Sequence, residues 1–377
     1  MCGALLEPAI YRAPAPAVTS LSTRLDVETE IYACPDCGHA QSPDLADVER
    51  FYDTEYRISL ASDAFDQLYD MRGGEPLYRT AHQAALVREV AEPPQGARVL
   101  DYGCAKATTL QRLVAARPDI RPAVFDVSED YRSHWTSWVA AEDQATYRCP
   151  EDWSGQFDLI TVHFVLEHVA DPVAVLSDIA RLLAPGGRVF LTVPDPLSNP
   201  GDLIVVDHLN HFTSPSLTHA FGLAGLAVRA VRQDLFRGAH VVVAERASMP
   251  ASPPDPGDSY QKLCETAAFW QRAREALEAA VAAHGDRPAA IYGAGFYGVF
   301  IASTLAGRQK LLGHLDRNPH LQEAAPVSPV HHPLSPPPGI EVIYAGLNPA
   351  IARPVLAEWQ AETGLSPEVI FLDGSTP

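Results

Sequence analysis

Short apolar runs alternate with helical patterns through the middle of the chain. Runs at 98–101, 123–126, 157–161 and 188–193 are strand-length, and the stretch 171–183 reads as a helix that ends at Pro185-Gly186-Gly187. A further helix over 78–90 precedes them and is terminated by Pro93 and Pro94. Strands alternating with helices predict an α/β fold, a mostly parallel sheet covered on both faces, with 240–245 as a late strand.

Residues 248–257 are rich in proline and read as a linker. A helix follows, with Leu263, Ala267, Trp270, Leu277 and Val281 sharing roughly one face and Gly285 as its stop. A second, smaller strand–turn–helix unit begins at Ala289, with strands expected at 341–345 and near 369–372. Residues 1–75 show little periodicity. Three domains are therefore expected: 1–75, 76–247 and 258–377.

The chain has 377 residues and a formal net charge of −19. That charge repels phosphate backbones and anionic lipid, which argues against nucleic acid and membrane surfaces as partners. No apolar run approaches the roughly 20 residues that span a bilayer. The start lacks the pattern of a signal peptide, and a cytoplasmic location is expected. The six cysteines then read as reduced thiols or metal ligands.

The segment Asp101-Tyr102-Gly103-Cys104-Ala105-Lys106-Ala107 places a tight turn between a strand and a helix start. Asp101 is delivered to the carboxyl edge of the sheet, where open α/β folds bind ligands. Gly103 permits a tight turn, whereas alanine at 105 and 107 does not reach positive φ as cheaply. Asp126 ends the next strand and suits two ribose hydroxyls. Tyr102, Cys104, Val127 and His163 are further candidate cofactor contacts. Asp152 reads either as an adenine contact or as a solvated loop carboxylate.

Asp207, His208 and His211 follow an expected strand, and His168 lies just beyond another. A His–Asp pair can act as an oriented general base, so His168 and the Asp207–His208 pair are the catalytic candidates. The alternative is that Asp207 braces a loop and His211 packs on Phe212. Cys34-Pro-Asp-Cys37-Gly38 has the form of a zinc knuckle, and Cys2 offers a third thiolate. The fourth ligand would come from upstream of Met1, from His39, or from another group or water; the alternative is a pair of surface thiols. Gly293, Gly295 and Gly298 form an intact G-x-G-x-x-G followed by Asp316. With about 120 residues after the linker and no further catalytic domain, a nucleotide-shaped pocket without redox chemistry is the preferred reading over a nicotinamide-dependent oxidoreductase.

In their order and spacing, the motifs over 97–246 resemble class I S-adenosylmethionine-dependent methyltransferases. The whole sequence of segments resembles the three-domain, zinc-containing sugar C-methyltransferases of deoxysugar biosynthesis. The resemblance includes the aromatic segment 51–56 and landmarks at 315–320, 326–327 and 345–348. It implies S-adenosyl-L-methionine as cofactor, a structural zinc, and a nucleotide-linked keto sugar deprotonated next to its carbonyl. The enolate carbon then attacks the sulfonium methyl group. It also implies substrate contacts from His211, Tyr56, Gly293, Gly295 and Asn348. A tyrosine of the family pattern is Val205 here, and one zinc cysteine is absent. O- or N-methylation of another small metabolite, and a non-catalytic binding protein, are the alternatives. The oligomeric state is not legible.

Overall fold

The computed structural model describes residues 2–4, 8–44, 66–249, 254–325 and 328–374. Near the N-terminus, β1 (Tyr11–Ala13), β2 (Ala17–Val18), β3 (Arg24–Leu25), β4 (Thr29–Ala33) and β5 (Ala40–Gln41) are short. A hairpin of β6 (Leu68–Arg72) and β7 (Glu75–Tyr78) leads into the helix Arg79–Leu86, which continues as a wider turn over Val87–Ala91 before Pro93 and Pro94.

The central sheet uses β8 (Arg98–Tyr102), β9 (Arg121–Asp126), β10 (Gln144–Thr146), β11 (Phe157–His163) and β12 (Leu183–Pro194). Beyond a short β13 (Asn210–His211) it adds β14 (Leu226–Arg232) and β15 (Ala239–Arg246). The strand order is β10-β9-β8-β11-β12-β15-β14. The first five are parallel, and β15 and β14 run antiparallel at one edge. The order reverses between β8 and β11, which opens a crevice at their carboxyl ends. β10 and β14 were not anticipated from the pattern, and β12 starts before Pro185-Gly186-Gly187 instead of after it.

Both faces of this sheet are covered. Leu100, Ile160 and Leu191 pack with Leu176 and Ile179 of the helix Pro172–Leu182 on one side. Val99, Val124, Leu159 and Phe190 pack with Leu110 and Leu113 of the helix Thr108–Ala116 on the other. Fully burying each of these aliphatic side chains contributes about 1.5–3 kcal/mol, and the alternation along each strand sets the register.

After the linker, the helix Ser259–His284 is followed by five parallel strands in the order β18-β17-β16-β19-β20. These are β16 (Ala289–Tyr292), β17 (Leu311–Leu315), β18 (Val330–His331), β19 (Val342–Ala345) and β20 (Glu368–Ile370). Leu263, Ala267, Trp270, Ala273, Leu277 and Ala280 form the buried face of the long helix, while the expected Val281 is only partly buried.

The three expected segments are interlocked. The N-terminal sheet has the order β1-β4-β5-β13, so it takes its last strand from the middle of the chain. Val18 also bridges to Val205. A single apolar cluster joins Tyr11 and Ile31, Leu203, Trp270 of the long helix, and Tyr297 and Tyr344 of the last unit. Among the described residues, no helix is long and apolar enough to cross a membrane.

Candidate active site

The turn after β8 is built as the ligand edge requires. Gly103 has φ +73, and a Cβ there would lie 2.5 Å from Val165 Cγ2. Ala105 and Ala107 take φ +46 and +56, so the two alanines occupy left-handed conformations that glycine adopts freely. The turn is held from outside. The amides of Gly103 and Cys104 donate to the Phe125 carbonyl at 2.8 and 3.0 Å. Ala105 N donates to Asp126 Oδ2 at 2.8 Å, and the indole of fully buried Trp135 donates to the Ala105 carbonyl at 2.7 Å.

Asp101 accepts from Thr161 Oγ1 at 2.9 Å. Burial, with a smaller push from the charge of Asp126, raises its carboxyl to about 7. Burial also raises Asp126, against the amides that bond to it. Cys104 is buried in the turn, and its thiol is pushed well up by burial and by both aspartates. The Tyr102 side chain packs on Phe125 instead of facing the crevice, with ring centroids 4.6 Å apart, so this residue offers the turn its backbone. Val127 is exposed just past the end of β9. His163 ends β11, with Nδ1 3.1 Å from Thr192 Oγ1 and a buried Nε2 that has no partner. Burial lowers it to about 3, so it is neutral.

Asp152 corrects an expectation. It lies in the short turn before β11, where its carbonyl accepts from Gln156, which also bonds to Arg98 at the start of β8. That is the amino edge of the sheet, opposite the crevice. The residue that follows β10 at the carboxyl edge is Tyr147, exposed and at φ +64, with its amide on the Asp126 carbonyl.

The histidines converge, but with different partners from those expected. His208 Nδ1 lies 2.6 Å from Asp202 Oδ1, and His211 Nδ1 lies 2.8 Å from Asp202 Oδ2. Asp207 is instead tied to Ser20, accepting from its amide at 2.7 Å and its hydroxyl at 2.6 Å. The Asp207 carbonyl also accepts from His168 Nδ1 at 2.9 Å. His211 is fully buried, with Nε2 3.2 Å from Ser42 Oγ; it braces Asp202 and is not a substrate contact. The rings of His168 and His208 meet edge to face at 4.8 Å. Each of those side chains keeps 10% of its surface exposed. Beside them Glu167 is 1% exposed, and its Oε2 has no partner. Glu167, His168 and His208 each bring one ligand atom into a group no wider than 4.8 Å.

These environments separate the proton affinities. Burial lowers the His168 ring, and the neighbouring charge on His208 lowers it further. Burial also opposes charge on His208, but the hydrogen bond and charge of Asp202, with Asp207 and Glu167, overcome it and raise His208 to about 9. Glu167 is raised to about 7 by burial, against the pull of His208. Asp202 is held low, because its two histidines outweigh its own burial. The pair thus holds a neutral imidazole at 168 and an imidazolium at 208. Asp202, Glu167 and Trp135 were not found from the sequence. Asp202 lies six and nine residues from its partners with no motif to mark it, whereas Glu167 stood next to His168 and only its complete burial gives it significance.

The Sγ atoms of Cys2, Cys34 and Cys37 all lie within 4.8 Å of one another, with Cys2 and Cys34 at 3.4 Å. His39 is not part of that group; its Nε2 is 3.2 Å from Asn210 Oδ1. In the last unit, Gly293 and Gly298 are packing glycines. A Cβ at Gly293 would meet the Gly346 carbonyl at 2.2 Å, and one at Gly298 would meet the Gly293 carbonyl at 2.1 Å. Gly295 faces open space at the start of the helix Phe296–Leu305. Asp316 accepts from Ala294 N at 2.9 Å, as Asp126 does from Ala105. Asn348 starts the helix Pro349–Thr363 and donates to the Ser198 carbonyl at 3.1 Å, across to the central unit. Tyr56 and the segment 51–56, and residues 326–327, lie outside the described residues.

A parallel sheet with its crevice at the strand-order reversal, a tight turn after the first strand and an acid closing the second give the central unit a Rossmann-like methyltransferase fold, over the residues that match a methyltransferase family. Residues 77–231 match the family described as "Methyltransferase domain". The chain is 35% identical over 102 residues to a ubiquinone biosynthesis O-methyltransferase of Xanthomonas oryzae pv. oryzae, covering 26% of this chain and 43% of that protein. The protein of that name from Xanthomonas axonopodis pv. citri is 35% identical over 104 residues, 26% of this chain and 44% of that one. The chain thus spans less than half the length of the curated relatives it matches. Among solved structures, an S-adenosylmethionine-dependent methyltransferase from Mesorhizobium loti is 18% identical. It aligns with a TM-score of 0.35 over 43% of this chain and 98% of that one.

Proposed function

We propose that this protein transfers the methyl group of S-adenosylmethionine to a small polar metabolite, with a nucleotide-linked keto or deoxy sugar as the preferred acceptor. The observation that carries the proposal is the His168–His208 pair, which holds one neutral and one charged ring at the carboxyl edge of the sheet. Val165, three residues before His168, packs over Gly103 of the turn after β8, and this proximity supports reading the pair as neighbours of the methyl donor.

A carbonyl oxygen accepts only, so His168 Nδ1 carries the proton in its bond to Asp207 and Nε2 is the basic atom. His168 takes a proton from the acceptor. The freed electron pair attacks the sulfonium methyl carbon, the methyl–sulfur bond breaks, and S-adenosylhomocysteine leaves. The His208 imidazolium, kept charged by Asp202, stabilises the negative charge that develops on the acceptor oxygen. This supplies what a phenol at position 205 would otherwise give; Val205 is fully buried. The nucleotide of such a substrate suits the open start of the helix at Gly295, because the first turn of a helix favours phosphate.

The likeness of the methyltransferase domain to enzymes named as ubiquinone biosynthesis O-methyltransferases favours a second reading, transfer to a hydroxyl oxygen of another small metabolite. The same base and imidazolium serve either acceptor. The convergent thiols of Cys2, Cys34 and Cys37 fit a zinc ion in a structural role, where it would cross-link the start of the chain to the turn after β4.

Calorimetric titration with S-adenosylmethionine tests the reading, and no binding at millimolar ligand would refute it. Replacing His168 by Ala is expected to lower turnover on a nucleotide-linked keto sugar by about 100-fold or more, the usual contribution of a general base. Unaltered turnover would remove His168 from the chemistry.

A further inference from the structure

We propose that Tyr297 of the last unit is a positioning residue for the active site: its hydroxyl fixes the turn that carries Asp202, and through Asp202 it sets the charge of His208. This rests on the reading of His208 as an acting group in methyl transfer.

Tyr297 lies between Gly295 and Gly298 of the glycine motif, yet its side chain leaves its own unit. The buried hydroxyl accepts from Gly201 N at 2.9 Å and donates to Asn199 Oδ1 at 2.7 Å. Between those residues, the Pro200 carbonyl accepts from Trp270 Nε1 at 2.7 Å. Three consecutive residues, 199 to 201, are therefore bonded to the C-terminal part of the chain, and the next is Asp202. The fit is close: a Cβ at Gly201 would lie 2.2 Å from Phe296 Cε2 and 2.7 Å from Tyr297 Cζ. Burial raises the Tyr297 phenol, and Asp202 sits near enough for its charge to add a smaller push in the same direction.

A phenylalanine would fill the same apolar site, where the Tyr297 ring stacks near Trp270 at 5.8 Å. What the hydroxyl adds is a fixed place for the turn. Asp202 must present one oxygen to His208 and the other to His211, both in a fully buried setting. A turn that rocks by a fraction of an ångström loses the short bond to His208 first, because His211 is also held by Ser42. The charged and titratable groups that face His208 are Asp202, Asp207, Glu167 and His168. Of these, Asp202 supplies the hydrogen bond that raises His208, so its placement sets the charge.

The test is a histidine NMR titration of the full chain, with the His208 resonance assigned from His208→Gln. Tyr297→Phe is expected to lower the His208 titration by about one pH unit, while S-adenosylmethionine affinity stays within about twofold. Tyr344→Phe is the control. It removes a 3.0 Å bond to Gln309 within the same unit and is expected to leave the His208 titration in place. A Tyr297→Phe titration that superimposes on the parent overturns the proposal, as does an equal shift in Tyr344→Phe. If Tyr297→Phe does not fold, Asn199→Ala removes only the acceptor of the hydroxyl; a downward shift supports the proposal and no shift overturns it. Failure of the parent to bind S-adenosylmethionine would sink the methyltransferase reading but leave the titration result to be judged alone.

Discussion

His208 is held by Asp202, six residues upstream, through a 2.6 Å contact to Nδ1, while the adjacent Asp207 turns away to Ser20. The acid that sequence proximity suggested is the one that locks a loop, and the acid that sets the charge comes from another turn. This relationship decides how the site responds to pH.

The His208 ring is raised to about 9 in the folded chain, from an unfolded value of about 6.5. Its contribution to stability is therefore complete below pH 6.5 and lost as pH rises through about 9. Asp202→Asn removes the charge that sustains this. Melting temperatures across that window should fall less steeply for the variant than for the parent. Both curves also carry the buried acids Asp101 and Glu167, whose raised carboxyls cost stability as pH rises through about 7, so the comparison is read above that pH. Parallel curves would show that His208 is not held charged by Asp202.

The alanines at 105 and 107 are expected to respond differently to glycine. Left-handed backbone costs an L-residue roughly 1–2 kcal/mol, which glycine relieves. Glycine returns part of this through a more flexible unfolded chain, about 0.4–1 kcal/mol. Ala105 is only partly buried, so Ala105→Gly should stabilise by about 0.5 kcal/mol. Ala107 is 1% exposed, and losing its methyl costs about a further 0.8 kcal/mol, so Ala107→Gly should be neutral or destabilising. Chemical denaturation of the two variants checks the ordering.

Gly103→Ala combines a φ of +73 with a Cβ 2.5 Å from Val165. It should weaken S-adenosylmethionine binding by tenfold or more. Adding Val165→Ala relieves the clash but not the backbone strain. Calorimetry should therefore show partial recovery, and full recovery would mean that only the steric contact matters.

The purified protein should carry about one zinc per chain by elemental analysis. Cys34→Ser or Cys37→Ser should abolish it. A metal-free parent would reduce the three thiols to neighbours without a ligand.

The sequence by itself determined the α/β alternation, the tight turn at 101–107, the acid at Asp126 and the glycine motif at 293–298. These rest on local rules: strand and helix periods, and turns that need glycine or a small residue. Even the strain at Ala105 and Ala107 was visible as a mismatch between residue and turn. Tertiary structure alone decided the rest. Asp152 faces the wrong edge, because the connection before β11 crosses to the amino ends of the strands. His211 is a brace, because β13 is drawn into the N-terminal sheet. Asp202 and Tyr297 act on His208 across gaps of six and 89 residues. Buried polar groups must find partners wherever the packed chain brings them, and sequence distance places no limit on that choice.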